Sequence, residues 1–250
     1  MNQAQKQRIN EAIILAGGKG SRLQSVVNDR PKPMAKIADR PFLEYLLRYL
    51  KDQGIRTAVI CTGYKEEMIR EYFADGVKFG IQIKYSNEEF PLGTAGAVRK
   101  ALNSLSGERF LVLNGDSYCE FDIDEMLGIH LSSSALATIC LVNSDDCSRY
   151  GSVEIDVQGM ILSFNEKSSN CRSGLINAGV YILERKLIER IEKGKMISLE
   201  KDIFPNILRG ALSSCRIKSG IFIDIGTPES YASSQEILKQ SLIFTHEKRI

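Results

Sequence analysis

Residues 12–23 read AIILAGGKGSRL: a short apolar run, Ala12–Ala16, and then three glycines and two cations within the next seven positions. The run has the length and composition of a buried strand. Glycines this dense mean a backbone that turns tightly or lies close against something, and the neighbouring cations make that something anionic. A Walker A loop needs a lysine after its last glycine, but Lys19 precedes Gly20. A dinucleotide fingerprint needs a third glycine where Leu23 stands. A mere tight turn accounts for one glycine and not for three followed by Arg22. What remains is a loop at the carboxyl end of a first strand, where α/β sheets take ligands. There the bare N–H groups of Gly17, Gly18, Gly20 and Ser21 can line a phosphate chain that Arg22 grips with two hydrogen bonds. Farther on, the prolines of Arg30-Pro31-Lys32-Pro33 stiffen the chain, and beside such a loop Lys32 reads as a second anion clamp.

The surrounding chain supplies the sheet. Phe42, Leu43, Leu46, Leu47 and Leu50 follow the helical period until Gly54 stops them. Strand patterns at 57–61, 81–85 and 110–113 alternate with helical patterns at 66–73 and 94–105. This alternation implies a mostly parallel sheet covered on both faces. From about Ala135 the pattern becomes strand-rich: 135–142, 151–157, 160–164 and 176–183, with a turn at Gln158-Gly159 predicting a hairpin. Helices are expected at 184–193 and 199–208, strands at 213–218 and 221–225, and a closing helix from Pro228. No low-complexity linker or internal repeat divides the 250 residues, so one α/β domain is expected over the whole chain.

Composition narrows the function. A formal net charge of +2 argues against nucleic acid or a membrane surface as partner. The polar stretch 1–10 followed by a short apolar run fits neither a signal peptide nor a membrane span, which sets a cytoplasmic expectation. Six scattered cysteines without a C-x-x-C pair, and two distant histidines, give no zinc cluster and are expected to be buried or idle thiols in a reducing compartment.

The run 15–23 followed by Pro31-Lys-Pro-Met34 resembles the signature of the sugar-1-phosphate nucleotidyltransferases, the nucleotide-sugar pyrophosphorylases. Pro91-Leu-Gly-Thr-Ala-Gly96, Asn114-Gly-Asp116, Glu166-Lys167, Asn177-Ala-Gly179 and Asp224-Ile-Gly-Thr-Pro228 follow in that family's order. Any one is weak; six in sequence are specific. The likeness is greatest to the branch that makes GDP-D-glycero-α-D-manno-heptose, with mannose-1-phosphate guanylyltransferases near by. It implies a Rossmann-like, GT-A-like three-layer domain with a mixed, mostly parallel central sheet and no β-helix. Its nucleotide part would cover about 11–120 and its sugar part about 135–240.

The resemblance also implies the roles. The anomeric phosphate of a sugar 1-phosphate attacks the α-phosphorus of a nucleoside triphosphate and expels pyrophosphate. Leu15, Ala16, Gly17, Gly18, Gly20, Ser21, Arg22, Glu88, Leu92, Gly93 and Thr94 would hold the nucleotide. Tyr150, Gly151, Glu166, Lys167, Asn177 and Gly179 would hold the sugar phosphate. Asp116 and Asp224, each at the end of an apolar strand, would hold Mg²⁺ through oxygen, as that ion prefers. Arg22, Lys32, Asp116 and Lys167 would form the catalytic set: Arg22 and Lys32 balance the triphosphate, Lys167 balances the sugar phosphate, and Arg22 stabilises the transition state. Glu88 favours GTP, since a carboxylate accepts from the N1–H and N2–H₂ edge of guanine and repels the carbonyls of uracil or thymine. Some uridylyl relatives are also acidic there, and Glu89 blurs the register, so other triphosphates stay open.

A hexose 1-phosphate is the rival substrate, with mannose 1-phosphate first. A non-catalytic nucleotide-sugar-binding regulator is the rival class, and it would be expected to lack Arg22, Lys32, Asp116 or Asp224, all of which are present. A glycosyltransferase would use an Asp-x-Asp metal motif. Asp122-Ile-Asp124 has that spacing but opens a helical stretch, where carboxylates belong in any case. The family often forms dimers or tetramers, so a homo-oligomer is expected. Gln24-Ser-Val-Val27 stands where relatives carry a proline and a threonine.

Overall fold

The computed structural model describes residues 8–147, 150, 152–165, 173–217 and 220–247. In chain order the elements begin with β1 (Glu11–Leu15), a small ribbon β2 (Lys36–Ile37) and β3 (Arg40–Pro41), and α1 (Phe42–Asp52). Then come β4 (Thr57–Thr62), α2 (Glu66–Phe73), β5 (Gln82–Asn87), α3 (Gly93–Ala101), β6 (Arg109–Asn114), β7 (Ser117–Cys119) and α4 (Ile123–Ser133). The second half holds β8 (Ala137–Ser144), β9 (Ser152–Ile155), β10 (Ile161–Asn165), β11 (Gly174–Glu184) and the short α5 (Arg185–Ile188) and α6 (Leu208–Ala211). β12 (Leu212–Arg216), β13 (Phe222–Asp224) and α7 (Pro228–Glu247) close the described chain.

The main sheet runs β5-β4-β1-β6-β11-β8-β12, and β11 alone reverses direction along that path. The β9–β10 hairpin expected around Gly159 joins the sheet through β11. The sheet is therefore mixed and mostly parallel. Strand alternation makes two cores from one apolar run: Ala12 and Ile14 pack with α1, α2 and α4, whereas Ile13 packs on the opposite face with α3 and α5. A strand covered on both faces must be apolar throughout, which is why β1, β4 and β6 read as unbroken runs. No helix among the described residues is long and apolar enough to cross a membrane.

Two expected helices are broken. Of 184–193, only α5 forms. The stretch 199–208 splits into a wide turn closed by Ile203 N–H to the Ser198 carbonyl (3.2 Å), a tight turn at Phe204–Asn206, and then α6. Pro205 has no N–H to continue the ladder. Upstream, the Ile197 carbonyl accepts from Ala95 and Gly96 N–H at 2.9 and 3.2 Å, so tertiary contact with α3 overrides local propensity.

Asp122 caps α4, its Oδ1 accepting from the N–H groups of Asp124 (2.8 Å) and Glu125 (3.0 Å). The five described cysteines are buried, and burial raises the thiols of Cys61 and Cys215, the latter to about 11; Cys171 lies outside the described residues.

His130 is a core residue, bonded through Nδ1 to Thr138 Oγ1 (2.8 Å) and through Nε2 to Glu184 Oε1 (3.1 Å). Burial holds its pKa below the ordinary 6.5 despite the Glu184 bond. Burial alone would raise Glu184, but its bonds to Arg109 and His130 outweigh that and its pKa is lowered from 4.5. Both groups bind protons more readily in the unfolded chain. The His130 contribution is complete above pH 6.5 and is lost as pH falls below it; the Glu184 contribution is lost only below pH 4.5. The melting temperature is thus expected to begin falling below pH 6.5, and His130→Gln to remove that first part of the decline. Melts across pH 5 to 8 check this, and identical profiles for the two proteins would refute it.

Candidate active site

The parallel strands β1, β4, β5 and β6 bring their carboxyl ends to one rim, where the following loops are stitched together. Ala16 N–H donates to Cys61 O (2.9 Å), Glu88 N–H to Thr62 O (2.7 Å) and Gly115 N–H to Leu15 O (2.8 Å). Approaches this close explain two loop glycines. A Cβ on Gly17 would lie 2.7 Å from Glu88 Oε1, and Gly20, with φ +62°, backs onto Lys32 Cβ at 2.9 Å. Gly18 meets nothing within 4 Å. No internal contact requires its missing side chain, and the space before it is open to a ligand.

Two cavities lie along the rim. The larger, about 760 Å³, is lined by the loop from Leu15 to Arg22, by Lys32, Gly63 and Tyr64, by Glu88 to Pro91, and by Gly93 and Thr94. The smaller, about 270 Å³, is lined by Tyr150, Asn177, Ser198, Glu200, Lys201 and Asp224 among others. Arg22, Asn114, Asp116 and Gly226 line both, so the cavities meet at these residues.

Charge concentrates at that junction. The Arg22 guanidinium has no hydrogen-bond or ion-pair partner among the described residues. Lys32, only 9% exposed, places Nζ 2.6 Å from Asp116 Oδ2. The cation read as an anion clamp therefore neutralises a carboxylate here. Asp116 directly precedes β7, and Ile225 N–H donates to its carbonyl at 3.0 Å. Asp224 pairs in register with Ser117 across the β7–β13 ribbon, which brings the two aspartates onto neighbouring strands. Asp224 Oδ2 accepts from Gly226 N–H (2.8 Å) and Ser230 Oγ (3.3 Å), and the Tyr150 hydroxyl donates to Oδ1. The donor set is all oxygen, and no group of three His, Cys, Asp or Glu gathers among the described residues. Two carboxylates that leave other positions to phosphate and water fit a hard divalent cation.

On the nucleotide side, burial raises the pKa of half-buried Glu88, while the Leu92 N–H bond to Oε2 (3.1 Å) and the charge of Lys100 pull it back. Leu92 itself lines neither cavity; its side chain is buried and its backbone holds Glu88 and Ile197. Gly93, at φ +68°, is needed because a Cβ would sit 2.5 Å from the Ile197 carbonyl, so its close approach is to the chain. Thr94 does line the larger cavity, with its hydroxyl donated to Glu200 Oε2 at 2.7 Å.

On the other side, Tyr150 and Asn177 line the smaller cavity. Asn177 donates to the Tyr181 hydroxyl (2.8 Å), which donates in turn to Glu200 Oε1 (3.1 Å). Gly179 lines neither cavity; at φ +74° it lies behind Asn114, whose Nδ2 is 2.6 Å from where a Cβ would stand. The ladder between β11 and β8 is irregular between Asn177 and Tyr181, as a bulge there requires. Gly151, Glu166 and Lys167 lie outside the described residues. Asp122 and Asp124 line neither cavity, and Asp122 is spent on its cap, which removes the Asp-x-Asp reading.

Sequence reasoning missed Asn114, Ser198, Glu200 and Lys201. The strand-end rule that marks Asp116 marks Asn114 equally, at the end of β6. Ser198 carries only a helix-start signal, and its hydroxyl does accept from Glu200 and Lys201 N–H, both at 3.2 Å.

A nucleotidyl transferase family model matches residues 11–241. The D-glycero-α-D-manno-heptose 1-phosphate guanylyltransferase of Campylobacter jejuni is 41% identical over 88% of this chain and 96% of its own length. The enzyme of that name from Aneurinibacillus thermoaerophilus is 40% identical over 92% of this chain and 98% of its own. The crystal structure of HddC from Yersinia pseudotuberculosis complexed with GMP-PN superposes with a TM-score of 0.82 at 37% identity, covering 92% of this chain and all of that one. With a family match over nearly its whole length and relatives of its own size at such identity, the chain belongs to the nucleotidyl transferase family and is an enzyme.

Proposed function

We propose that this enzyme transfers GMP from GTP to D-glycero-α-D-manno-heptose 1-phosphate, yielding GDP-heptose and pyrophosphate. The observation that carries the reading is the meeting of a large and a small cavity at Arg22, Asn114 and Asp116. A group transfer between two phosphates needs both substrates to touch at one charged point. The named relatives supply the substrate identities, and HddC complexed with GMP-PN supports guanine.

In the proposed reaction a phosphate oxygen of the sugar 1-phosphate attacks the α-phosphorus. The bond from α-phosphorus to the bridging oxygen breaks, and pyrophosphate leaves with that electron pair. The larger cavity, with the N–H groups of Gly17 to Ser21, takes the triphosphate, and the smaller cavity takes the sugar. This assigns about 11–120 chiefly to nucleotide and 135–240 chiefly to sugar. Arg22 reaches both substrates and stabilises charge on the transferring group. Asp116 and Asp224 hold Mg²⁺, which when bound neutralises the phosphate oxygens and polarises the α-phosphorus. Lys32 balances Asp116 and lies beside the phosphate path; Lys167 meets the sugar phosphate, with Glu166 and Gly151 beside it. Glu88 offers its carboxylate to the guanine edge. The free, buried thiols of Cys61, Cys119, Cys140 and Cys215 support a reducing, cytoplasmic location.

Pyrophosphate release tests the reading, crossing GTP, UTP, dTTP, CTP and ATP with heptose, mannose and glucose 1-phosphates in the presence of Mg²⁺. Release is expected chiefly with GTP and heptose 1-phosphate. Preference for mannose 1-phosphate or for another triphosphate would overturn the substrate assignment and keep the reaction. No release in any combination, from protein that binds nucleotide, would favour the regulatory reading.

A further inference from the structure

Phe90 is left 71% exposed, although a phenyl ring gains by burial. Of the exposed large apolar side chains among the described residues, Val26, Val77, Leu131, Val157, Leu162 and others line neither cavity; Phe90 lines the larger one. The ring stands on the loop after β5, two residues past Glu88, on the rim that carries the glycine loop. Pro91 follows it and disfavours helical backbone at Phe90, which limits where the ring can go before any ligand arrives. The backbone proposed for phosphate lies at Gly17 to Ser21, and Glu88 is the half-buried carboxylate on the same loop as Phe90. Phosphates and a polar base edge thus have partners in this cavity, and the flat face of a base has two aromatic candidates on the wall, Tyr64 and Phe90, of which Phe90 is the ring on the loop that carries Glu88.

We propose that Phe90 stacks on the nucleobase and favours a purine over a pyrimidine. Aromatic stacking grows with overlapping area, and a two-ring base covers a phenyl face more fully than a single ring does. Glu88 then reads the base edge and Phe90 the base face. Choice of guanine rests on the proposed guanylyl transfer; the stacking itself does not.

Phe90→Ala is expected to raise the KM for GTP by about tenfold to a hundredfold, as loss of one stacked aromatic does. The KM for the sugar 1-phosphate and kcat should stay within about twofold, because the ring touches no reacting atom. Phe90→Tyr should restore the KM. The chain contains no tryptophan, so Phe90→Trp creates a lone fluorescent reporter at this position. Its emission should be quenched as GTP is titrated in, and less by UTP. A GTP KM in Phe90→Ala within about twofold of the parent, or Phe90→Trp emission unmoved at saturating GTP, would overturn the stacking. Equal quenching by UTP would overturn the purine preference. If the substrate assay selects another triphosphate, the same KM comparison with that nucleotide decides the role of Phe90 separately from the choice of guanine.

Discussion

Arg22→Ala is expected to lower kcat by about a hundredfold to a thousandfold and to leave the melting temperature unchanged. Both halves follow from its surroundings. Arg22 lies where the cavities join, and no carboxylate or carbonyl of the described chain engages its guanidinium. Removing it breaks no internal bond, so stability has nothing to lose. In the transfer, negative charge gathers on the phosphoryl group between the two substrates, and a planar fork can hold two of its oxygens together. Arg22→Lys keeps the charge and loses the fork, and is expected to recover only a small part of the rate. Steady-state kinetics in both substrates and a thermal melt check this. An unchanged kcat with a raised KM for GTP would make Arg22 a clamp for the ground state instead.

Asp116→Asn is expected to do two separable kinds of damage. As a proposed ligand of the divalent cation, Asp116 supports charge neutralisation worth several kcal/mol, so turnover should drop at least about a hundredfold. Asp116 is also the partner of Lys32, whose side chain is 9% exposed and whose Nζ is 2.6 Å away. Asparagine leaves that ammonium facing a neutral amide. Leaving a largely buried charge unmatched costs on the order of 1–3 kcal/mol, which for a chain of this size lowers the melting temperature by several degrees. The double variant Lys32→Met with Asp116→Asn removes the stranded charge. It should recover most of the melting temperature and none of the activity. If Asp116→Asn turned over normally, the metal assignment would fall; if it melted like the parent, the ion pair would carry no weight.

The parallel half of the sheet is legible because its physics is local. Ile13 and Ile14 must both be buried, on opposite faces, so the strand announces itself in four letters. The glycine loop is legible for a related reason: Gly17 and Gly20 answer to contacts made within the rim. The opposite holds at Ser198–Lys201. Its conformation depends on Ile197 being drawn across the start of α3 and on Thr94 bonding Glu200, contacts more than 100 residues apart in the chain. No periodicity encodes such a contact, and three lining residues went unread there. Gly93 is a mixed case: the motif marks its importance, but its conformational need comes from the Ile197 carbonyl.

The ribbon of β7 and β13 joins residues that are synthesised far apart in time. Every residue lining the larger cavity lies at or before Asp116, apart from Gly226. The second aspartate arrives on β13, more than 100 residues later and after every other residue lining the smaller cavity except Gly226. A nascent chain emerging from the ribosome therefore carries its full set of phosphate-binding loops well before it has both carboxylates. On the proposed assignment, both carboxylates are present only once β13 has paired with β7.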